Sequence, residues 1–337
     1  MSVGKAKAVA PKEGAPGPGE FRFVAPCFTG IDEGLIRDHL ERDHFFWLDL
    51  HAPGHEELAK LREIFGFHPL ALEDTEHFGQ RPKLDDYGDY VLLVFYGAWR
   101  HQERDPNPLR EVHLFISGRY VVTVHRDPLP VLDQQREQLD GRLLHSEQFI
   151  LYRILDALVD SFFPLLSDMD DEIDELEAAI LSNPTDGQLQ RLFALKRQLV
   201  AMRKVISPQR DLFATSVDRI AGLPGLELDE RDYFRDIYDH LIRISDLIDS
   251  YRDLLSSATD LYLSTVSNRQ NDVMKQLTVI ATIFLPLGFI TGFFGQNFGF
   301  MVNHLLTPEW AFFVVGVGSM VATCVGLLAF FRRKGWV

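Results

Sequence analysis

Apolar and polar positions change their spacing three times along the chain. From Phe21 to about Gln148, the runs FFWLDL (45–50), YVLLVFYGAW (90–99), EVHLFIS (111–117) and RYVVTVH (119–125) carry the aromatic and β-branched content of strands. Stretches such as HEELAKLREIF (55–65) read as helices between them, and Gly118-Arg119 reads as a tight hairpin turn. The expected fold class is an α/β domain over 21–150, a mixed sheet flanked by helices. From Glu147 onward the strand signals cease. Residues 151–230 read as an acidic helical segment, broken at Asn183-Pro184 and at Gly222-Leu223-Pro224-Gly225.

A third pattern begins near Arg231. Phe234, Ile237, Leu241, Ile244, Ile248, Tyr251, Leu255, Ala258, Tyr262 and Thr265 keep a strict four-three spacing, the seam of a coiled coil. No Pro or Gly interrupts between Arg231 and Phe284, so the helix is expected to run about 80 Å and straight into the apolar region that follows. Such length outreaches one domain and points to a bundle with copies of the same chain.

Between Gln276 and Phe331 the only formal charge is Glu309. LTVIATIFLPLGFITGFFG (277–295) and WAFFVVGVGSMVATCVGLLAFF (310–331) are each long enough to cross about 30 Å of hydrocarbon. The expected division is a stalk helix and first span over 231–297 (the span from about 277), an extracytoplasmic loop at 298–308, a second span at 309–331 and a basic tail at 332–337. Arg269 and Lys275 precede the first span and Arg332, Arg333 and Lys334 follow the second, while the connector from Gln296 to Glu309 has no Lys or Arg. The positive-inside rule then puts both termini in the cytoplasm and makes the protein multi-pass in the cell (inner or plasma) membrane. The first 20 residues, rich in Gly, Ala, Pro and Lys, read as a disordered tail without the pattern of a signal peptide.

Composition sharpens this picture. Thirty-four basic against forty-nine acidic residues give a formal charge of −15. Removing the spans and their flanks leaves −17 on residues 1–275, so the acidity belongs to the soluble part. That charge argues against a nucleic-acid partner and for attraction of cations. Cys27 and Cys324 form no CxxC pair, and no GxxxxGK[ST] loop or other enzyme signature is present, so the expectation is a non-enzyme with no organic cofactor. The acidic run DMDDEIDELE (168–177) reads as a solvated helix face, and His51 and His55, separated by Ala-Pro-Gly, lack the partners of a zinc site.

Two spans cannot enclose an aqueous path, so transport would need an oligomer with first spans around an axis. Carried into the membrane, the four-three spacing selects Asn271, Met274, Thr278, Ala281, Leu285, Gly288 and Gly292, a face of small or polar residues with Met274 and Leu285 as apolar constrictions. Gly288 and Gly292 also form a GxxxG pair suited to close helix packing. In the second span Gly318, Ala322 and Gly326 form a small face read as packing. Gly295-Gln296-Asn297 ends the first span with amides, which can accept hydrogen bonds from the water shell that Mg²⁺ gives up reluctantly.

YFRDIYDH (233–240), NDVMKQLTVIATIFLPLGFITGFFGQN (271–297), RRKGW (332–336) and HPLALEDTEHFGQRPK (68–83) together closely resemble the CorA family of divalent-cation channels, two-span proteins with a GxN signature. The resemblance covers nearly all of the chain after residue 20. It implies a funnel-shaped homopentamer in the lipid bilayer, with Asn297 as selectivity ring, Gly292, Gly288 and Leu285 along the pore, and Leu277 with Asn271 at the cytosolic constriction. It further implies a regulatory Mg²⁺ site in which Asp74, with Glu73, faces Asp236 of the next subunit and holds the closed state. The implied function is passive uptake of divalent cations, Mg²⁺ first and Co²⁺ or Ni²⁺ next, so that Mg²⁺ is both transported and regulatory. The alternatives are a zinc transporter of the related two-span branch and a membrane-anchored metal sensor without flux. Gln296 stands where magnesium members usually carry Met, Phe294 where Tyr is common, and the outer loop FGFMVNHLLTPEW lacks the acidic sequence of many members.

Overall fold

The computed structural model describes residues 23–100, 107–140, 143–144, 147–221, 231–296, 310 and 312–336. The expected tail (1–20), the outer loop (298–308) and Asn297 lie outside them. The described chain divides into two compact units, one from the sheet region to Glu175 together with Gln190–Ser256, the other Leu176–Leu189 with the residues from Ser257 on.

In the first unit, β1 (Phe23–Val24) pairs with β8 (Leu143–Leu144) apart from the main sheet. The main sheet holds β2 (Cys27–Phe28), β3 (Phe46–His51), β4 (Lys83–Asp86), β5 (Val91–Ala98), β6 (Leu109–Ile116) and β7 (Tyr120–His125) in the order β2-β3-β7-β6-β5-β4. β3 lies parallel to β2 and β7, and the other neighbours are antiparallel, so the sheet is mixed as expected. The β6–β7 hairpin closes at Ser117–Arg119, where Ser117 N–H donates to the Tyr120 carbonyl at 3.0 Å.

Both faces of the central strands are buried, which explains why their sequences read as continuous apolar runs rather than alternating ones. One face (Phe46, Leu48, Leu50, Leu92, Val94, Phe115, Val122, Val124) packs with residues of α1 (Glu33–Glu41), α2 (His55–Phe65) and α3 (Pro69–His77). Phe67 stacks on Phe115 at 4.1 Å in its centre. The other face meets α4 (Pro130–Leu139), α5 (Glu147–Asp160) and α7 (Asp186–Ala221), with α6 (Phe162–Ser182) following α5 in the chain. Strand β4 pairs with β5 only as far as Val94, leaving the far half of that edge open. Side chains of α7 and of the α5–α6 turn satisfy it: Tyr96 N–H donates to Gln209 Oε1 at 2.6 Å and Ala98 N–H to Ser161 Oγ at 2.7 Å. The approach is close enough that a Cβ on Gly97 would come within 2.9 Å of Leu158 Cδ2.

Helix α8 runs unbroken over 64 residues, Arg231–Phe294. Its four-three seam is real, but within the first unit Phe234, Ile237, Leu241, Ile244, Ile248, Tyr251 and Leu255 are all buried inside the single chain. Tyr233 packs on Tyr152 of α5, Arg243 lies over Phe163 of α6, and Arg203 of α7 pairs with Asp249 at 2.7 Å. The expectation of self-association through this seam is therefore corrected: the chain's own helices fill it. In the second unit the same stripe continues through the buried Ala258 and Tyr262, whose hydroxyl donates to Asp186 at 3.3 Å, and Arg269 bonds Asn183.

Candidate functional site: an exposed membrane helix and an acidic cluster

The second unit contains two helices long and apolar enough to cross a membrane, within Tyr233–Phe294 and Phe313–Arg333. The latter begins with a π-helical turn (Phe312–Val317) and continues as α9 (Gly318–Arg333). Only 6% of either apolar window is buried. Leu277, Phe284, Leu285 and Phe289 on α8, and Phe313, Val321 and Phe330 on the second helix, stand exposed, a burden that hydrocarbon relieves and water does not.

Each helix has one partly shielded stripe. On α8 it is Val279, Ile283, Pro286, Leu287, Ile290 and Phe294; on the second helix it is Gly316, Met320, Thr323, Cys324, Leu327 and Phe331. At 100° per residue the α8 stripe lies opposite Asn271, Met274, Thr278, Leu285, Gly288 and Gly292. The face selected by spacing, with Leu277, is exposed along its whole length, and a Cβ at Gly288 or Gly292 would meet nothing within 4 Å. The GxxxG pair thus makes no close contact among the described residues. Of the small face expected on the second span, Gly318 is partly shielded while Ala322 and Gly326 are exposed in the single chain.

Local chemistry ends and marks α8. Pro286 lacks the N–H that would satisfy the Thr282 carbonyl. Thr278 donates its hydroxyl to the Met274 carbonyl at 2.7 Å, leaving oxygen lone pairs directed outward. Gly295 closes the helix, where any side chain would crowd the Thr291 carbonyl at 3.1 Å, and Gln296 follows exposed. At the other end Asn271, Met274 and Thr278 border a groove of about 530 Å³ that Trp336 also lines.

The first unit holds the residues expected to sense metal. Asp74 on α3 accepts from Lys83 Nζ at 2.7 Å, and the same ammonium lies 2.7 Å from Asp85. Partial burial works against that ammonium, yet its bonds to Asp74 and Asp85 raise its pKa. Glu73 is exposed, its carbonyl bonded to the His77 ring. Asp236 lies on α8 and accepts from the Tyr152 hydroxyl at 3.2 Å. No described ion pair or ligand grouping joins Asp74 to Asp236 within one chain.

Asp236 instead belongs to a cluster that the sequence reading missed. Asp156, Asp236 and His240 each offer a ligand atom within 4.8 Å of the others, and His240 Nδ1 lies 3.2 Å from Asp160. Burial, then the charge of Asp160, pushes the Asp156 carboxyl up to about 6. Burial also raises Asp160, against the pull of His240. A divalent cation would relieve both, and the carboxylates of Asp156 and Asp236 with the imidazole of His240 could hold such an ion; the imidazole favours the later transition metals over Mg²⁺. The only sequence signal was two i, i+4 pairs, Asp156/Asp160 and Asp236/His240. Nothing in the sequence says that α5 and α8 bring those pairs face to face.

Other expectations resolve simply. The 168–177 run is largely solvated while Met169, Ile173 and Leu176 between the acids are buried. His51 stacks on His125 at 5.1 Å and His55 pairs with Glu76.

The family model of CorA-like Mg²⁺ transporter proteins matches residues 42–333. The chain is 37% identical over 284 residues to the cobalt/magnesium transport protein CorA of Thermotoga maritima, spanning 83% of this chain and 80% of that protein. It is 36% identical over 297 residues to YfjQ of Bacillus subtilis, 87% and 90% of the two lengths. The solved CorA magnesium transporter of Methanocaldococcus jannaschii shares the fold, with a TM-score of 0.75 over 86% of this chain and 91% of that one at 24% identity.

Proposed function

The chain belongs to the family of CorA-like Mg²⁺ transporter proteins, and on that premise we propose that it is a passive channel, a homopentamer in the cell membrane, that admits Mg²⁺, with Co²⁺ or Ni²⁺ as further candidate ions. One observation carries the reading: the polar and small face of α8 is exposed on the side opposite its shielded stripe, so it is free to line a lumen made with other copies. Gly288 and Gly292 let neighbouring backbones or a hydrated ion come close, and Met274, Leu277 and Leu285 supply apolar constrictions. Asn271 stands at the cytosolic end and the amides of Gln296 and Asn297 at the outer mouth. An inside-negative potential supplies about 4.6 kcal/mol per 100 mV to a divalent ion, enough to drive uptake without nucleotide hydrolysis.

Regulation follows from the same charges. Asp74 and Glu73 of one subunit and Asp236 of the next would share Mg²⁺ in the cytosol, screening like charges and holding the channel closed. Both termini would then be cytoplasmic. Liposome uptake tests the function: the purified protein should admit Mg²⁺, and Asn297→Ala should lower flux or relax selectivity. Zn²⁺ entry without Mg²⁺ entry would favour a zinc transporter, no entry of either a sensor, and unchanged flux and selectivity in Asn297→Ala would remove the proposed filter. A subunit count by mass in detergent other than five would overturn the pentamer.

A further inference from the structure

We propose that the turn following the second span is a binding site for the phosphate of anionic lipid headgroups in the cytosolic leaflet. The inference rests on the reading that α9 crosses the membrane with Arg333 at its cytosolic end. In a chain with fifteen more acids than bases, eight of the described arginines of the first unit pair with carboxylates. Arg332 and Arg333 have no such partner among the described residues, and Lys334 engages only the ring of Phe330, at 5.6 Å. All three side chains are exposed.

They are also held in place. Gly335 adopts φ 67°, the left-handed conformation that ends a helix at low cost. Trp336 N–H donates to the Phe331 carbonyl at 3.0 Å and Gly335 N–H to Arg332 at 3.1 Å, the paired bonds of a Schellman turn. The Trp336 ring folds back to stack on Phe331 at 5.8 Å. The turn therefore stays at the end of the span, presenting three cations around an amphipathic indole, the residue type that settles at headgroup level. The groove that Trp336 shares with α8 adds Lys275, beside Asn268 as an amide donor. The acidic neighbour there is Asp272, already bonded to Lys275 at 3.1 Å.

Three adjacent cations on a held turn, without a carboxylate partner among the described residues, match the charge and depth of a lipid phosphate, and guanidinium forks bind phosphate oxygens two at a time. The purified full chain in zwitterionic detergent should retain phosphatidylglycerol in native mass spectra and not phosphatidylcholine. Substituting Arg332→Gln, Arg333→Gln and Lys334→Gln together should weaken phosphatidylglycerol binding at least tenfold. Arg332→Lys with Arg333→Lys, a folding control, should keep it within a few-fold, and Trp336→Ala should weaken it several-fold. Equal phosphatidylglycerol retention by the triple variant overturns the proposal, as does competition by millimolar inorganic phosphate, which would mark a free-anion site. Lipid retention is read without ion flux, so loss of the channel reading and loss of this one are separate results.

Discussion

Lys83 Nζ stands 2.7 Å from Asp74 Oδ2, so the carboxylate proposed to bind cytosolic Mg²⁺ already has a cation from its own chain. Metal must share or displace that ammonium. Mg²⁺ at the proposed regulatory site should protect the chain from proteolysis, and replacing Lys83 with Met should lower the concentration needed on the order of tenfold. Protection curves of the two proteins measure it, and a shift toward higher Mg²⁺ would take Asp74 out of the site.

The cluster on α5 and α8 makes a separate demand. Asp156 titrates near 6 because of burial and the charge of Asp160, so protons compete with metal there as pH falls through that value. Binding of Co²⁺ or Ni²⁺ by calorimetry should weaken from pH 7.5 to pH 5.5. His240→Gln should cost these ions on the order of tenfold while altering Mg²⁺ little, because an imidazole favours the later metals. Equal losses for all three ions would mean that His240 only supports the helices.

Burial of the α8 seam by the chain's own helices predicts a loss of stability rather than of assembly. Ile244 has no exposed surface, and Ile244→Ala should cost roughly 2–5 kcal/mol from lost apolar contact and the cavity left behind. The melting temperature should fall while the oligomeric mass in detergent stays unchanged. Dissociation into subunits without a fall in melting temperature would restore the seam to the interface between copies.

His125 supplies a pH dependence of opposite sign to that of a salt-bridged acid. Burial lowers its pKa, but Asp49 at 3.3 Å and the Asp127 carbonyl outweigh burial and raise it overall. The folded chain thus favours the protonated ring. Its contribution is complete below the ordinary value near 6.5 and is lost as pH rises through the raised one. Between pH 6 and 8 the wild-type melting temperature should decline more than that of His125→Gln; parallel profiles would exclude the effect.

Much of this architecture was legible from local order alone. Nineteen and twenty-two uncharged residues are long and apolar enough to span a membrane, since length and transfer free energy are properties of the segment. The strand runs survived within a residue or two because sheet-buried strands are apolar on both faces. The α8 spacing likewise announced a buried stripe. The shorter helices α1, α3 and α4 carried weaker patterns and were not resolved.

What the sequence determined by itself was which surfaces must be covered: two apolar spans, a mixed sheet and one heptad seam. The tertiary structure decided what covers them. It gave the seam to α5, α6 and α7 rather than to another copy, paired Asp74 with Lys83, and put Asp156 and Asp160 opposite Asp236 and His240. Periodicity records that a face is apolar or acidic, since each residue's own chemistry sets that. The partner depends on contacts between positions some eighty residues apart, which only the packed chain brings within a few ångströms.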